Sequence, residues 1–204
     1  MSCRVLYLLF FLLLSVQDLC AKEKYYTRKD IWCTKGECVL RGTTQPFSGE
    51  VRYFFSDDKI FRVINYKNGK KNGKSIEYYK GGGIKSMELY NKGELNGVAR
   101  EFYENGNYKK EVYYKEGKKD GQYKEFYENG KPKVIKTYDN DLEDGRVKMF
   151  YENGKLYIDL RYDEGNLVNF YCLSPKGKRY NMNNQKNEFL IYGHGVCDNL
   201  FKQF

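Results

Sequence analysis

Five glycines, Gly49, Gly73, Gly97, Gly121 and Gly145, recur at intervals of 24 residues, and this period constrains the fold more than any other property of the chain. Each is followed five and six residues later by an aromatic pair: Phe54-Phe55, Tyr78-Tyr79, Phe102-Tyr103, Phe126-Tyr127 and Phe150-Tyr151. A turn dipeptide comes next in a fixed column, as Asp57-Asp58, Gly81-Gly82, Asn105-Gly106, Asn129-Gly130 and Asn153-Gly154. A tyrosine then recurs at Tyr66, Tyr90, Tyr114, Tyr138 and Tyr162, and a further glycine column, Gly69, Gly93, Gly117 and Gly165, fails only at Asp141.

The residue chemistry of the unit points to a β-hairpin. Asn-Gly between aromatic-rich runs is a strong hairpin signal, because a two-residue type I′ turn needs positive φ at both central positions. A second turn, such as Gly69-Lys-Lys-Asn-Gly73 or Gly117-Lys-Lys-Asp-Gly121, is expected to join one hairpin to the next. The glycines of the 24-residue column are therefore expected at turns, together with Gly106, Gly130 and Gly154. The fold class is all-β, with tandem 24-residue hairpins over residues 46–168 forming an elongated antiparallel meander of about ten strands. The composition agrees: 21 Tyr and 20 Gly against 3 Pro suit strands joined by glycine turns.

A lone hairpin is unstable, so each unit relies on its neighbours and the array needs caps. Residues 22–45 are read as the N-terminal cap, and residues 169–204 as the C-terminal cap, which begins at Asn169 where a column glycine is due. Residues 1–21 read as a signal peptide, with Arg4, an apolar run over residues 5–14 and a cleavage point after Ala21. That run is too short to span a bilayer comfortably, so the mature chain is read as having no transmembrane helix. Leu19 and Asp18, where a lipobox carries a small residue, argue against lipidation at Cys20. The destination is thus the periplasm, the outer envelope or the exterior.

Cys33, Cys38, Cys172 and Cys197 remain after cleavage, an even number that reads as two disulfides in an exported chain. Their placement at the two ends suggests local staples, Cys33 with Cys38 and Cys172 with Cys197, although spacing alone does not fix the pairing. The rival, a zinc site built from these thiols and His194, lacks any paired C-x-x-C spacing.

The unit Gly121-Gln-Tyr-Lys-Glu-Phe-Tyr-Glu-Asn-Gly-Lys131, with the Tyr-x-x-Gly of Tyr114-Lys-Glu-Gly117, closely resembles the bacterial MORN-repeat variant over residues 46–168. Many proteins built this way are labelled YwqK-like antitoxin components, and eukaryotic arrays are associated with membranes, phospholipids and scaffold assembly. The resemblance implies binding without catalysis and without a cofactor. An antitoxin role combined with a signal peptide would require a toxin or effector acting in the envelope or outside the cell.

The residues themselves also argue against an enzyme. His194 is the only imidazole, and it sits near Cys197 in the proposed cap. Glu77, Glu101 and Glu125 form one repeated column and Glu104, Glu128 and Glu152 another, as cross-strand charge pairing prefers. Catalysis requires a unique site, whereas a repeat distributes like residues along a surface. The net charge of +9 favours acidic partners. Arg52, Arg100, Lys124 and Lys148 share a column whose second-unit member is Ile76, and they fall on the strand face of Phe54, Tyr78, Phe102, Phe126 and Phe150. One reading makes the cations a solvated rim whose stems cover packed aromatics. The other makes the two rows an elongated binding face for an acidic protein, or for an anionic lipid or glycan. Export argues against nucleic acid, which such a face could otherwise stack and hold.

Overall fold

A computed structural model of the protein describes residues 25–174, 176–185 and 197. The leader read over residues 1–21 and His194 of the C-terminal segment lie outside them. The strands are β1 (Tyr26–Thr27), β2 (Ile31–Thr34), β3 (Glu37–Leu40), β4 (Gly49–Phe54), β5 (Ile60–Lys67), β6 (Lys70–Tyr78), β7 (Ile84–Asn91), β8 (Glu94–Leu95) and β9 (Gly97–Phe102). They continue as β10 (Tyr108–Lys115), β11 (Lys118–Phe126), β12 (Pro132–Asp139), β13 (Leu142–Glu143), β14 (Gly145–Phe150), β15 (Leu156–Asp163), β16 (Asn166–Leu173) and β17 (Arg179–Asn181). All except β2 and β3 join one 15-stranded sheet that runs in chain order from β4 to β17, with β1 added in parallel at its first edge. The five expected hairpins are β4–β5, β6–β7, β9–β10, β11–β12 and β14–β15, in the expected phase. This is the all-β antiparallel meander that the period implies.

The two-residue turns stand in the other column from the one where the sequence reading expects them. At Asn105-Gly106 the Gly106 amide donates to the Tyr103 carbonyl at 2.9 Å, the Tyr103 amide donates to the Asn107 carbonyl at 2.9 Å, and only Gly106 has positive φ. That is a three-residue loop, a type I turn closed by a left-handed glycine, and not a two-residue type I′ turn. Asn105 contributes through its side chain, whose Oδ1 accepts the Asn107 amide at 2.9 Å; Asn129 and Asn153 do the same for Lys131 and Lys155. The two-residue turns with paired positive φ lie in the other glycine column, at Asn68-Gly69, Lys92-Gly93, Glu116-Gly117, Asn140-Asp141 and Glu164-Gly165. There Asp141 takes φ +70°, which an aspartate tolerates and which explains why the column can lose its glycine.

The 24-residue glycines are also not at turns. Gly49, Gly97 and Gly145 begin strands β4, β9 and β14, while Gly73 and Gly121 lie inside β6 and β11. Gly121 sits where the β10–β11 register slips, between the pairs Val112↔Tyr123 and Tyr114↔Lys119, with φ +113°. Gly73 occupies the equivalent slip between Ile64↔Ser75 and Tyr66↔Lys71. Gly73 and Gly121 thus lie at β-bulges, for which a residue free to take positive φ is required. Gly106, Gly130 and Gly154 do close turns, each with positive φ.

Bonds that repeat with the unit tie the hairpins together at both edges. At one edge the turn amides of Gly93, Gly117, Asp141 and Gly165 donate to the carbonyls of Lys71, Leu95, Lys119 and Glu143 at 2.8–2.9 Å. At the other, the hydroxyls of Tyr79, Tyr103 and Tyr127 donate to the carbonyls of Phe102, Phe126 and Phe150 at 2.7–2.9 Å. In these three units the second aromatic of the pair is therefore a strap to the next.

The buried clusters sit at the two ends of one sheet face. Ile31, Cys38 and Phe47 close over Val51, Ile64 and Tyr66 at the start, and Met182 and Cys197 join Val147, Ile158, Leu160, Phe170 and Cys172 at the end. Each fully buried aliphatic or aromatic side chain there contributes about 1.5–3 kcal/mol. Both staples form as expected, Cys33–Cys38 across the β2–β3 hairpin and Cys172–Cys197 at the far end. Between the caps this face is polar. Lys71 lies 4.6 Å from the Tyr90 ring centre and Lys119 4.9 Å from that of Tyr138.

Candidate binding face

The opposite face carries the rows singled out from the sequence. Cross-strand pairing strings Arg52, Val63, Ile76 and Met87 into one line that continues through Arg100, Glu111, Lys124, Ile135, Lys148 and Asp159. Beside it runs a second line in which Phe54 faces Ile60, Tyr78 faces Ile84, Phe102 faces Tyr108, Phe126 faces Pro132 and Phe150 faces Leu156. Residues two apart on a strand share a side, so the two lines lie on the same face. None of the described strands packs across it.

The aromatic line is half-buried among its own members. The Phe102 and Tyr108 ring centres are 5.2 Å apart, and Tyr108 and Phe126 are 6.1 Å apart, within the range of favourable ring contacts. Tyr108 nevertheless leaves 47% of its surface exposed and Ile84 36%, so an apolar ribbon remains available along the face.

The four cations differ in their surroundings. Arg52 bonds Glu50 on its own strand at 2.6 Å and lies 4.8 Å from the Tyr25 ring centre. Arg100 bonds Glu111 across the β9–β10 pair at 2.7 Å, and that hydrogen bond raises its already high pKa. Lys124 and Lys148 form no hydrogen bond or ion pair among the described residues. Sequence reasoning passed over the carboxylates of this line, Glu111 and Asp159. They stand on the return strands, and only the register puts them beside the cations. Their signal was present all the same, since both break the aliphatic character of a column held by Val63, Met87 and Ile135.

Asp159 is 4% exposed and is clamped by two arginines. Arg146 reaches it with Nε at 2.7 Å and Nη2 at 2.6 Å, and Arg179 with Nη2 at 2.7 Å. The Arg146 hydrogen bonds hold its carboxyl below the usual carboxylate range, against the opposing effect of burial. Several tyrosines of the polar stretch between the caps are perturbed as well. Burial, reinforced by Glu88, pushes Tyr90 up to about 12, and burial with a hydrogen bond to Glu125 pushes Tyr123 up as well.

Among the described residues no cluster of three or more His, Cys, Asp or Glu side chains could hold a metal ion, and no helix is long and apolar enough to cross a membrane. Four segments, residues 47–68, 95–116, 119–140 and 143–167, match the family model of the MORN repeat variant. The unmatched second unit carries Gly81-Gly82-Gly83 where others have Asn-Gly, yet its loop makes the same bonds, Gly82 amide to Tyr79 carbonyl at 2.9 Å and Tyr79 amide to Gly83 carbonyl at 2.8 Å. No curated protein matches the chain at a significant level. MORN repeats are in general protein- or lipid-binding modules without catalytic chemistry.

Proposed function

We propose that this chain of MORN-variant repeats is an exported binding module of the cell envelope, which engages an acidic protein along the open face bearing Arg52, Arg100, Lys124 and Lys148. The observation that carries the reading is the pair of lines on that face, one of cations and aliphatic side chains interrupted by Glu111 and Asp159, the other of aromatic side chains each facing an apolar or aromatic partner, repeated in all five hairpins. Aromatic and arginine side chains supply most of the binding energy at protein interfaces, and cations steer an acidic partner to them. Export is supported by the leader-like residues 1–21 and by two disulfides, which persist in oxidising compartments. An immunity-like role, with a toxin or effector as the partner, fits this placement.

The second reading, an anionic lipid or glycan surface, is favoured by the same charge and by the lipid-binding members of the repeat class. Equilibrium binding separates the two. The full mature chain should retain a protein from envelope extracts at physiological salt, release it as salt rises, and leave phosphatidylglycerol vesicles unbound. Vesicle binding without any retained protein would replace the protein partner with a membrane surface. Fractionation with alkaline phosphatase and cytosolic markers tests export, which fails if the chain stays cytosolic with its leader uncleaved.

A further inference from the structure

The last repeat departs from the others at one spot on the open face. Arg146 stands where earlier units carry Glu50, Lys74, Val98 and Gln122, and Arg161 where they carry Asn65, Leu89, Tyr113 and Thr137, so the last repeat alone pairs two cations there. The two arginines are direct cross-strand partners in the β14–β15 pair. Like charges placed opposite one another destabilise a sheet unless something neutralises them. Arg179 joins them from β17, its guanidinium carbon 3.8 Å from the Tyr171 ring centre.

One buried carboxylate serves this group. Asp159 bonds Arg146 and Arg179, which fixes the planes of both guanidiniums. Arg161, two residues along β15 on the same side, has no hydrogen bond or ion pair among the described residues. Lys148 stands directly opposite Asp159, so four cationic side chains surround a single carboxylate. The arginine side chains keep half their surface in solvent, 56% for Arg146 and 50% for Arg179, leaving N–H donors free to turn outward. Arg146, Arg161, Arg179, Asn169 and Tyr171 line a depression of about 390 Å³.

We infer that this depression is a binding site for a tetrahedral oxyanion, a phosphate or sulfate ester, held by Arg146, Arg161 and Arg179. Guanidinium forks match the oxygens of such a group bidentately, and three of them exceed what one planar carboxylate can engage. Asp159 acts as a positioning residue that holds two forks in place before the ligand arrives. Base stacking plays no part, because Arg179 already covers the face of Tyr171. The site shares neither residues nor ligand chemistry with the cationic row of the proposed protein interface, apart from its neighbour Lys148, and it stands or falls separately.

The test is titration of the full mature chain, labelled with ¹⁵N, with inorganic phosphate, inorganic sulfate and glucose 6-phosphate, followed by the arginine Nε–Hε resonances and by calorimetry. Saturable shifts confined to Arg146, Arg161 and Arg179 are expected. Arg161→Ala, which removes no hydrogen bond or ion pair among the described residues, should weaken binding about 10-fold or more, as loss of a charge-assisted hydrogen bond does, while Arg52→Gln should leave it unchanged. Tighter binding of glucose 6-phosphate than of free phosphate would identify an ester as the ligand, and the reverse order would identify the free anion. Shifts that grow linearly over all arginines, or equal affinity in Arg161→Ala and wild type, would overturn the site.

Discussion

Gly69→Ala and Gly117→Ala form a matched pair, because the two glycines occupy the same position of the same turn type, with φ +79° and +81°. Each alanine would have to hold a left-handed conformation, at a cost of about 1–2 kcal/mol. At Gly117 little else changes, since the nearest atom to an added Cβ is the Glu94 Cβ at 3.9 Å. At Gly69 the Cβ would lie 2.9 Å from the Cys38 carbonyl oxygen, a backbone atom of the N-terminal cap. The cap would have to move, and the Cys38 amide bond to Gly69 and the Gly69 amide bond to Phe47, both 2.7 Å, would loosen with it. At about 0.5–1.5 kcal/mol each, those two bonds add about 1–3 kcal/mol to the shared strain. For a chain of this size 1 kcal/mol corresponds to about 2–4 °C in Tm. Gly117→Ala should therefore lower Tm by about 5 °C, and Gly69→Ala by about 10 °C with exposure of the first hydrophobic cluster. Thermal unfolding followed by tyrosine circular dichroism and by Trp32 fluorescence reads both. Equal shifts for the two variants would refute the docking of the cap on the Gly69 turn.

Gly121→Val should destabilise more than Gly106→Val, because the bulge glycine would bring its Cβ to 3.3 Å from the Tyr113 Cβ while Gly106 faces open space; denaturant midpoints decide it. Thiol labelling of the unreduced mature protein should find no reactive cysteine, and reduction should cost roughly 2–4 kcal/mol per bridge, concentrated at the ends of the array. Tyr90, pushed up to about 12 by burial, keeps its proton in the fold after the unfolded chain has ionised. Its stabilising contribution is full below pH 10 and is lost as the pH rises toward 12, so Tyr90→Phe should flatten the alkaline limb of a stability-versus-pH curve.

The array itself was legible in the sequence because a 24-residue period survives any uncertainty about local geometry. Hairpin phase follows from it, while the two staples were legible separately, from four cysteines placed at the two ends of the chain. The turn assignments did not follow from the period, since Asn-Gly serves a type I turn with a left-handed glycine as readily as a type I′ turn. Only register tells them apart: Lys67↔Lys70 brackets two residues, whereas Phe102↔Tyr108 brackets five. A glycine column likewise signals positive φ without saying whether a turn or a bulge requires it, and Gly73 and Gly121 turned out to need it for bulges. On the candidate face, the four cations and five aromatics could be assigned to one side by alternation alone. Their partners Glu111 and Asp159 could not, because they lie 11 residues further along the chain from Arg100 and Lys148 and become neighbours only when the strand returns.

Binding through the open face should be spread over several units, and the affinity of the retained partner for a graded set of variants measures that spread. Neutralisation to Gln suits all four positions, because a new carboxylate at Lys124 or Lys148 would stand directly opposite Glu111 or Asp159, and one at Arg52 or Arg100 would face Glu50 or Glu111. Each single change should weaken binding a few-fold. The quadruple variant Arg52→Gln, Arg100→Gln, Lys124→Gln, Lys148→Gln should abolish binding with its circular dichroism nearly unchanged and its Tm lowered only slightly, since surface ion pairs contribute only about 0–1 kcal/mol each. A quadruple variant that binds as tightly as wild type, or a single residue that carries nearly all the affinity, would contradict it.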